Sequence, residues 1–293
     1  MTGEQAALTG IASATEHAAE LRSRGDDPTP RGVVRAALAA ALRHVVMMPI
    51  PRGERSARLM IYRSAPQAEA VNVSETEPLR VLDVCAGYGC WASEFARWWV
   101  LDLGLPREWL HITGVEIHAP REPHLDKWCD DWALDDWRVA LGPTSGLDHT
   151  SFDLVIGNPD FAIVLREHGV DFPVEQTMPA VLLRHAPAVL LLHTQQAFVK
   201  SVPGRACYRA HPPAASWLLP GSIKFRQGIN PDKGKPWGAD QRCYQVTLWL
   251  RSHTGPCSTY MLEDLEPHER AWSVLPGSED PSADLPARPG WTP

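Results

Sequence analysis

The chain has 293 residues, 44% of them hydrophobic and 22% charged, and carries a net charge of −7. Such a chain can bury the core of one large α/β domain or two smaller ones, and no apolar run approaches the roughly 20 residues of a membrane span. The acidic balance excludes a general electrostatic grip on nucleic acid, the six cysteines and twelve histidines show no zinc-like spacing, so no metal is expected, and an N-terminus without a signal-peptide layout points to the cytoplasm.

Residues 1–30 are small and polar and end in RGDDPTPRG, which reads as a loosely ordered leader. The next stretch, RGVVRAALAAALRHVVMM, sets Val33, Val34, Ala37, Leu38, Leu42, Val45 and Val46 on one helical stripe with arginines opposite. This predicts an amphipathic helix, stopped by PIPRG. Between Pro28 and Pro66 stand seven arginines and one acid, Glu54, a balance of +6; a basic arm on an acidic body suits a polyanion partner and equally a solvated helix face. The segment SAPQAEAVNVSETEP has no periodicity and reads as a linker, so residues 31–78 form a helical, arginine-rich extension.

From Leu79 the pattern changes to apolar strands alternating with helical stretches, the signature of βαβ units over residues 79–251. Strands are expected at 79–84, 111–117, weakly at 126–131, then at 152–158, 188–194, 221–226 and 242–251. The last two are joined by QGINPDKGKPWGAD, too short for a crossover helix, and should pair antiparallel. The tail, 252–293, is acidic and proline-rich and is expected to be irregular.

Three motifs carry chemistry. The first strand runs into VLDVCAGYGCWA, where Asp83 ends the strand and Gly87 and Gly89 make a turn whose backbone N–H groups a ligand can approach. It is not the GxGxxG fingerprint, since no third glycine follows. The second strand ends in GVEIH, with Glu116 placed to accept hydrogen bonds from a ribose diol. The third, SFDLVIGNPDF, closes a buried strand with Asn158, Pro159, Asp160 and Phe161. Taken singly, each has an ordinary explanation as turn residues or a surface acid; their order and spacing favour a shared site.

Together, LDVCAGYGCWA, GVEIH and DLVIGNPDF resemble the first, second and fourth motifs of class I S-adenosylmethionine-dependent methyltransferases, and NPDF resembles the NPP[FY] box of the N6-adenine DNA methyltransferases. The resemblance implies a Rossmann-like fold, a mostly parallel seven-stranded sheet with an antiparallel last strand, preceded here by the helical extension. It implies S-adenosylmethionine contacts from Asp83, Cys85, Ala86, Gly87, Gly89, Glu116, Ile117 and Asn158. Adenine contacts are implied for Asp131 and Trp132, with Asp130 or Asp136 as alternatives. Catalysis falls to Asn158 and Pro159 as acceptors for the target amine, with Phe161 stacking the base and Asp160 standing where the family has a second proline. Lys233, Lys235 and Trp237 combine charge with a stacking face and are candidate substrate contacts. The expected partner is nucleic acid, DNA foremost, with no membrane and low sequence specificity. Methylation of adenine in RNA, methylation of a protein glutamine, and a catalytically inert binding protein of this fold remain alternatives.

Overall fold

Buried parallel strands show as continuous apolar runs, and two of those read from the sequence, 79–84 and 188–194, form at the expected residues. The computed structural model describes residues 29–44, 48–51, 56–61, 69–143, 145–147, 151–159, 164–167, 170–173, 177–196, 202–219, 229–230, 235–236 and 242–262, with 198, 221 and 223. Helix α1 (Arg31–His44) leads into a small antiparallel sheet of β1 (Met48–Pro51), β2 (Ser56–Ile61) and β3 (Glu69–Ser74). Then come β4 (Leu79–Val84), α2 (Cys90–Arg97), β5 (Leu110–Glu116), α3 (Glu122–Trp128), β6 (Asp131–Leu134), α4 (Trp137–Ala140) and β7 (Leu154–Gly157). A hairpin of β8 (Val164–Glu167) and β9 (Val170–Pro173) precedes α5 (Met178–His185), β10 (Ala188–Thr194), α6 (Val202–Ala210) and β11 (Ala215–Leu218). A second hairpin, β12 (Ile229–Asn230) with β13 (Lys235–Pro236), lies between β11 and the last pair, β14 (Tyr244–Leu250) and β15 (Ser258–Met261).

The main sheet has eight strands in the order β15-β11-β14-β10-β7-β4-β5-β6. Strands β6, β5, β4, β7 and β10 run parallel, and β14 is wedged antiparallel between β10 and β11. Side chains alternate between faces. Val81, Ile112, Ile156 and Leu190 share a core with α1 and α2, while Leu82, Val155, Val189 and Leu191 pack with α4, α5 and α6. Helices thus cover both faces of a parallel sheet, the doubly wound α/β arrangement. Among the described residues no helix is long and apolar enough to cross a membrane.

Several elements differ from expectation. The sheet has eight strands rather than seven, because β15, in the tail expected to be irregular, pairs parallel with β11. Residues 126–131 are not a strand: α3 runs to Trp128, and the strand begins at Asp131. The partner of β14 is Ala215–Leu218 rather than 221–226, though the pairing is antiparallel as expected; Ala215, Ser216 and Trp217 are buried there. The linker contains β3. Residues 1–28 and most of the tail lie outside the described residues.

Helix α1 is no loose arm. Val33, Val34, Ala37, Leu38, Ala41 and Leu42 are buried in the main core. Arg35 also grips the buried Glu94 of α2 through two hydrogen bonds, 2.7 and 3.2 Å long, and Arg31 lies 3.9 Å from the same carboxylate.

Candidate functional site

The sheet changes direction of progress between β4 and β7: from β4 the chain winds outward through β5 and β6, and from β7 through β10. Ligands of open α/β sheets bind beyond the carboxyl strand ends at such a switch point. There Val84 pairs with both Val115 and Gly157, so the next residues, Cys85, Glu116 and Asn158, stand side by side on adjacent strands, about 4.8 Å from strand to strand. Gly157 permits this closeness, because a Cβ on it would lie 2.2 Å from the carbonyl oxygen of Val84.

The turn after β4 is tight. Cys85, Gly87 and Gly89 have φ of 59°, 58° and 71°, and Cys85 holds this left-handed conformation with a side chain that disfavours it. Gly89 is required twice over, by its φ and by Trp128, whose ring would lie 2.7 Å from an added Cβ. The N–H groups expected to face a ligand are used within the protein: Ala86 donates to Val115 O, Gly89 to Ala86 O, and Gly87 to Glu116 Oε2, all at 2.8 or 2.9 Å. The turn therefore presents its Cα and carbonyl surfaces at these positions.

Asp83 is fully buried. Its Oδ2 accepts from Ala92 N–H at 2.9 Å, and Oδ1 has no partner among the described residues. Burial pushes its carboxyl up to about 8; the Ala92 N–H opposes the shift and the nearby charge of Glu116 adds to it. Near neutral pH Asp83 is thus largely a neutral acid.

Glu116 is also buried. It accepts from Gly87 N–H, from His118 N–H at 3.0 Å, and pairs with Arg121 Nη1 at 3.2 Å. A carboxylate has about four acceptor positions, so a ribose diol taking two must share with, or displace, Arg121. That guanidinium lies 5.1 Å from the centre of the Tyr88 ring. Beside Glu116, Ile117 is 52% exposed and offers a flat apolar surface. Arg121 and Tyr88 escaped the sequence reading; an arginine five positions after the strand-ending acid was the one signal.

Asp131 and Trp132 do not join this cluster. They begin β6, level with Thr113 and Gly114, whereas Glu116 is level with Leu134. Asp131 instead bonds His111, and Asp130 accepts from Ile112 N–H and Arg107. Of the alternatives weighed, Asp136 follows the carboxyl end of β6, where it caps α4 by accepting from Arg138 N–H at 2.9 Å.

Asn158 closes β7 with Pro159 buried behind it. Its Nδ2 donates to Thr29 Oγ1 at 2.8 Å, while its Oδ1 is buried and has no partner among the described residues. Thr29, assigned from the sequence to the loose leader, is itself buried. Nothing in the sequence pairs residues 29 and 158. Asp160, Phe161, Lys233 and Trp237 lie outside the described residues, and Lys235 is described only as a backbone position in β13.

No protein-family model matches the chain, and no curated protein matches it in sequence. In three dimensions it is similar to the type I restriction-modification system methyltransferase subunit from Streptococcus thermophilus, with a TM-score of 0.51 and 11% identity over 84% of this chain and 51% of that one. The M protein of the type I restriction enzyme EcoKI gives 0.46 and 14% over 80% and 48%. A TehB-like S-adenosylmethionine-dependent methyltransferase from Corynebacterium glutamicum gives 0.36 and 12% over 83% and 98%. The chain spans about half the length of the two restriction-modification subunits. At such identities the likeness is one of fold, and the expected fold class holds: a Rossmann-like α/β methyltransferase fold with a mostly parallel sheet and an antiparallel strand near its end.

Proposed function

We propose that the chain is an S-adenosylmethionine-dependent amino-methyltransferase acting on N6 of adenine in DNA, with short or little sequence recognition. The observation that carries this is the buried Oδ1 of Asn158, without a partner among the described residues, at the switch point, one strand away from the turn after Asp83. A buried acceptor without a donor is costly, and an amine supplies the missing donor. The cofactor, when bound, supplies an electrophilic methyl group on a sulfonium sulfur.

The rest of the chemistry belongs to the chain. The adenine amine is a poor nucleophile because its lone pair is delocalised into the ring. Asn158 Oδ1 and the Pro159 carbonyl, accepting its two hydrogens, favour a pyramidal nitrogen with a directed lone pair. Positive charge grows there during transfer, so preorganised acceptors stabilise the transition state more than the ground state. Each such hydrogen bond is worth about 1.5 to 3 kcal/mol, or roughly 10- to 150-fold in rate. Asp83, Glu116 and Ile117 are suited to the methionyl, ribose and adenine portions of the cofactor, and Phe161 to stacking a base turned out of the helix.

The strand directions support the substrate contacts. Because β11 runs as β10 does, the connection from β11 to β14 leaves the sheet at the same edge as Asn158, and that connection carries Lys233, Lys235 and Trp237. With Arg31 and Arg35 engaged by Glu94, phosphate contacts fall to the remaining arginines of the basic stretch.

The test is incubation of the full chain with methyl-labelled cofactor and separate pools of DNA, RNA and protein. Label on DNA, recovered as N6-methyladenine, is expected; label on RNA or protein alone redirects the substrate. The Arg121 guanidinium on Glu116, where a ribose diol would bind, favours a second reading, a binding protein of this fold without turnover. Label in no pool, with no measurable cofactor binding, supports that one.

A further inference from the structure

We infer that Thr29 is a positioning residue for the methyl-transfer step, and that its hydroxyl holds the Asn158 amide in place with Oδ1 toward the target amine. The inference rests on the amino-methyltransferase reading and adds to it a part for the segment ahead of α1.

A carboxamide has two ends of nearly equal shape and opposite hydrogen-bonding character. Rotation about the Asn Cβ–Cγ bond exchanges them, and that torsion has a broad, two-fold profile. Asn158 can serve an amine only with its oxygen toward the site; the reverse orientation would set two N–H donors against an N–H donor. Thr29 Oγ1 accepts from Nδ2 at 2.8 Å and so fixes the amide torsion with Oδ1 as the inward end; a hydroxyl can bond either end of an amide, so Thr29 holds the group and the target amine selects its oxygen end.

Thr29 is held firmly enough for this. It stands between prolines at 28 and 30, and a residue before proline is restricted to extended backbone. Four residues on, the buried stripe of α1 begins at Val33 and Val34, and Arg35 ties the helix to Glu94. Thr29 is buried and Asn158 half-buried with its Oδ1 out of solvent, which limits competition from water. Residues 129 positions apart in sequence thus complete one side of the reaction centre.

Thr29→Val removes the hydroxyl and keeps the shape, whereas Thr29→Ser keeps the hydroxyl. In labelled-cofactor assays on mixed-sequence duplex DNA, Thr29→Val is expected to lower kcat about three- to tenfold, the worth of one ordinary hydrogen bond. KM for DNA and calorimetric affinity for the demethylated cofactor product should stay at wild-type values, and Thr29→Ser should retain kcat. A second readout needs no turnover. The sequence has three asparagines, Asn72, Asn158 and Asn230, so selective 15N-asparagine labelling gives three side-chain amide signals, with that of Asn158 identified by its loss in Asn158→Ala. In Thr29→Val this signal should shift and its amide protons exchange faster with solvent. An unchanged Asn158 signal overturns the proposal, as does kcat within twofold of wild type in Thr29→Val, an equal fall in Thr29→Ser, or a fall in cofactor affinity matching that in kcat. If the wild type labels no pool while the amide signal still responds to Thr29→Val, the reading of function fails and the Thr29–Asn158 coupling stands.

Discussion

Arg35 meets Glu94 side-on, its Nε and Nη2 donating to the two carboxylate oxygens, with the arginine half exposed and the carboxylate fully buried. This pair, rather than a polyanion, accounts for an arginine of the basic stretch. Removing the partner of a buried charge costs more than the pair itself contributes. Arg35→Met should lower unfolding free energy by about 1 to 3 kcal/mol in urea titrations, the lower end reflecting the solvent around the arginine. The same variant should leave the salt dependence of DNA binding unchanged, whereas Arg→Ala at a phosphate-contacting position reduces the slope of log K against log salt by about one.

Asp83 sets a pH dependence whose sign follows from its raised pKa. The native chain keeps a proton that the unfolded chain releases near the usual carboxylate value of about 3.9. Its contribution is therefore full below that value and is lost as pH rises through about 8. Melting temperature should decline between pH 5 and pH 8 in the ligand-free protein, and Asp83→Asn should flatten the decline. A cofactor ammonium lodged beside Asp83 would favour the ionised form. Cofactor binding should then release protons, seen as calorimetric heats that differ between buffers of different ionisation enthalpy.

Glu116 and Asn158 stand one residue beyond a shared register row and should fail in different ways. Glu116→Gln keeps the shape and some acceptor capacity for Gly87 N–H and His118 N–H but loses the charge; cofactor affinity should fall about tenfold with little change in kcat at saturation. Asn158→Ala should lower kcat at least tenfold and change cofactor affinity little, the mark of an interaction made in the transition state. Titration calorimetry and single-turnover assays separate the two. Glu116→Ala is the poorer variant, because it strips the acceptor that pins the turn.

Recognition is expected to be short. After exhaustive reaction on a mixed-sequence duplex, methylated adenines should map to many contexts. Each base-edge contact adds about 1 to 3 kcal/mol of discrimination, and the sequence outside the sheet offers few candidates. Modification confined to one motif of five or more defined bases would require a recognition element among residues not yet assigned one.

The interior of the fold was legible because burial on both faces narrows a strand's choice of composition: LRVLDV and AVLLLHT are largely apolar runs, and both form as read. Edges were not legible. DWAL lies at one edge, with Asp131, Trp132 and Leu134 exposed, and STYM lies at the other with all four residues exposed, so neither shows the apolar signal of a core strand. For the partner of β14 the sequence pointed to GSIKFR, most of which lies outside the described residues, whereas the pairing falls to ASWL. At the candidate site, Glu116 and Asn158 stand at the strand ends where the sequence placed them, because strand ends are marked in sequence. Arg121 and Thr29 were missed because their parts depend on what they touch, and contact between distant residues leaves no periodic trace.

Helix α1 packs against α2 and also against β11, and this gives synthesis an order. Residues 31–44 are made early, yet β11 takes its place in the sheet only beside β14, which ends at Leu250. At ordinary elongation rates the apolar stripe waits roughly 10 to 40 s for that surface. A nascent chain, or one truncated before β14, would carry every motif of the site and still lack part of the seat of α1.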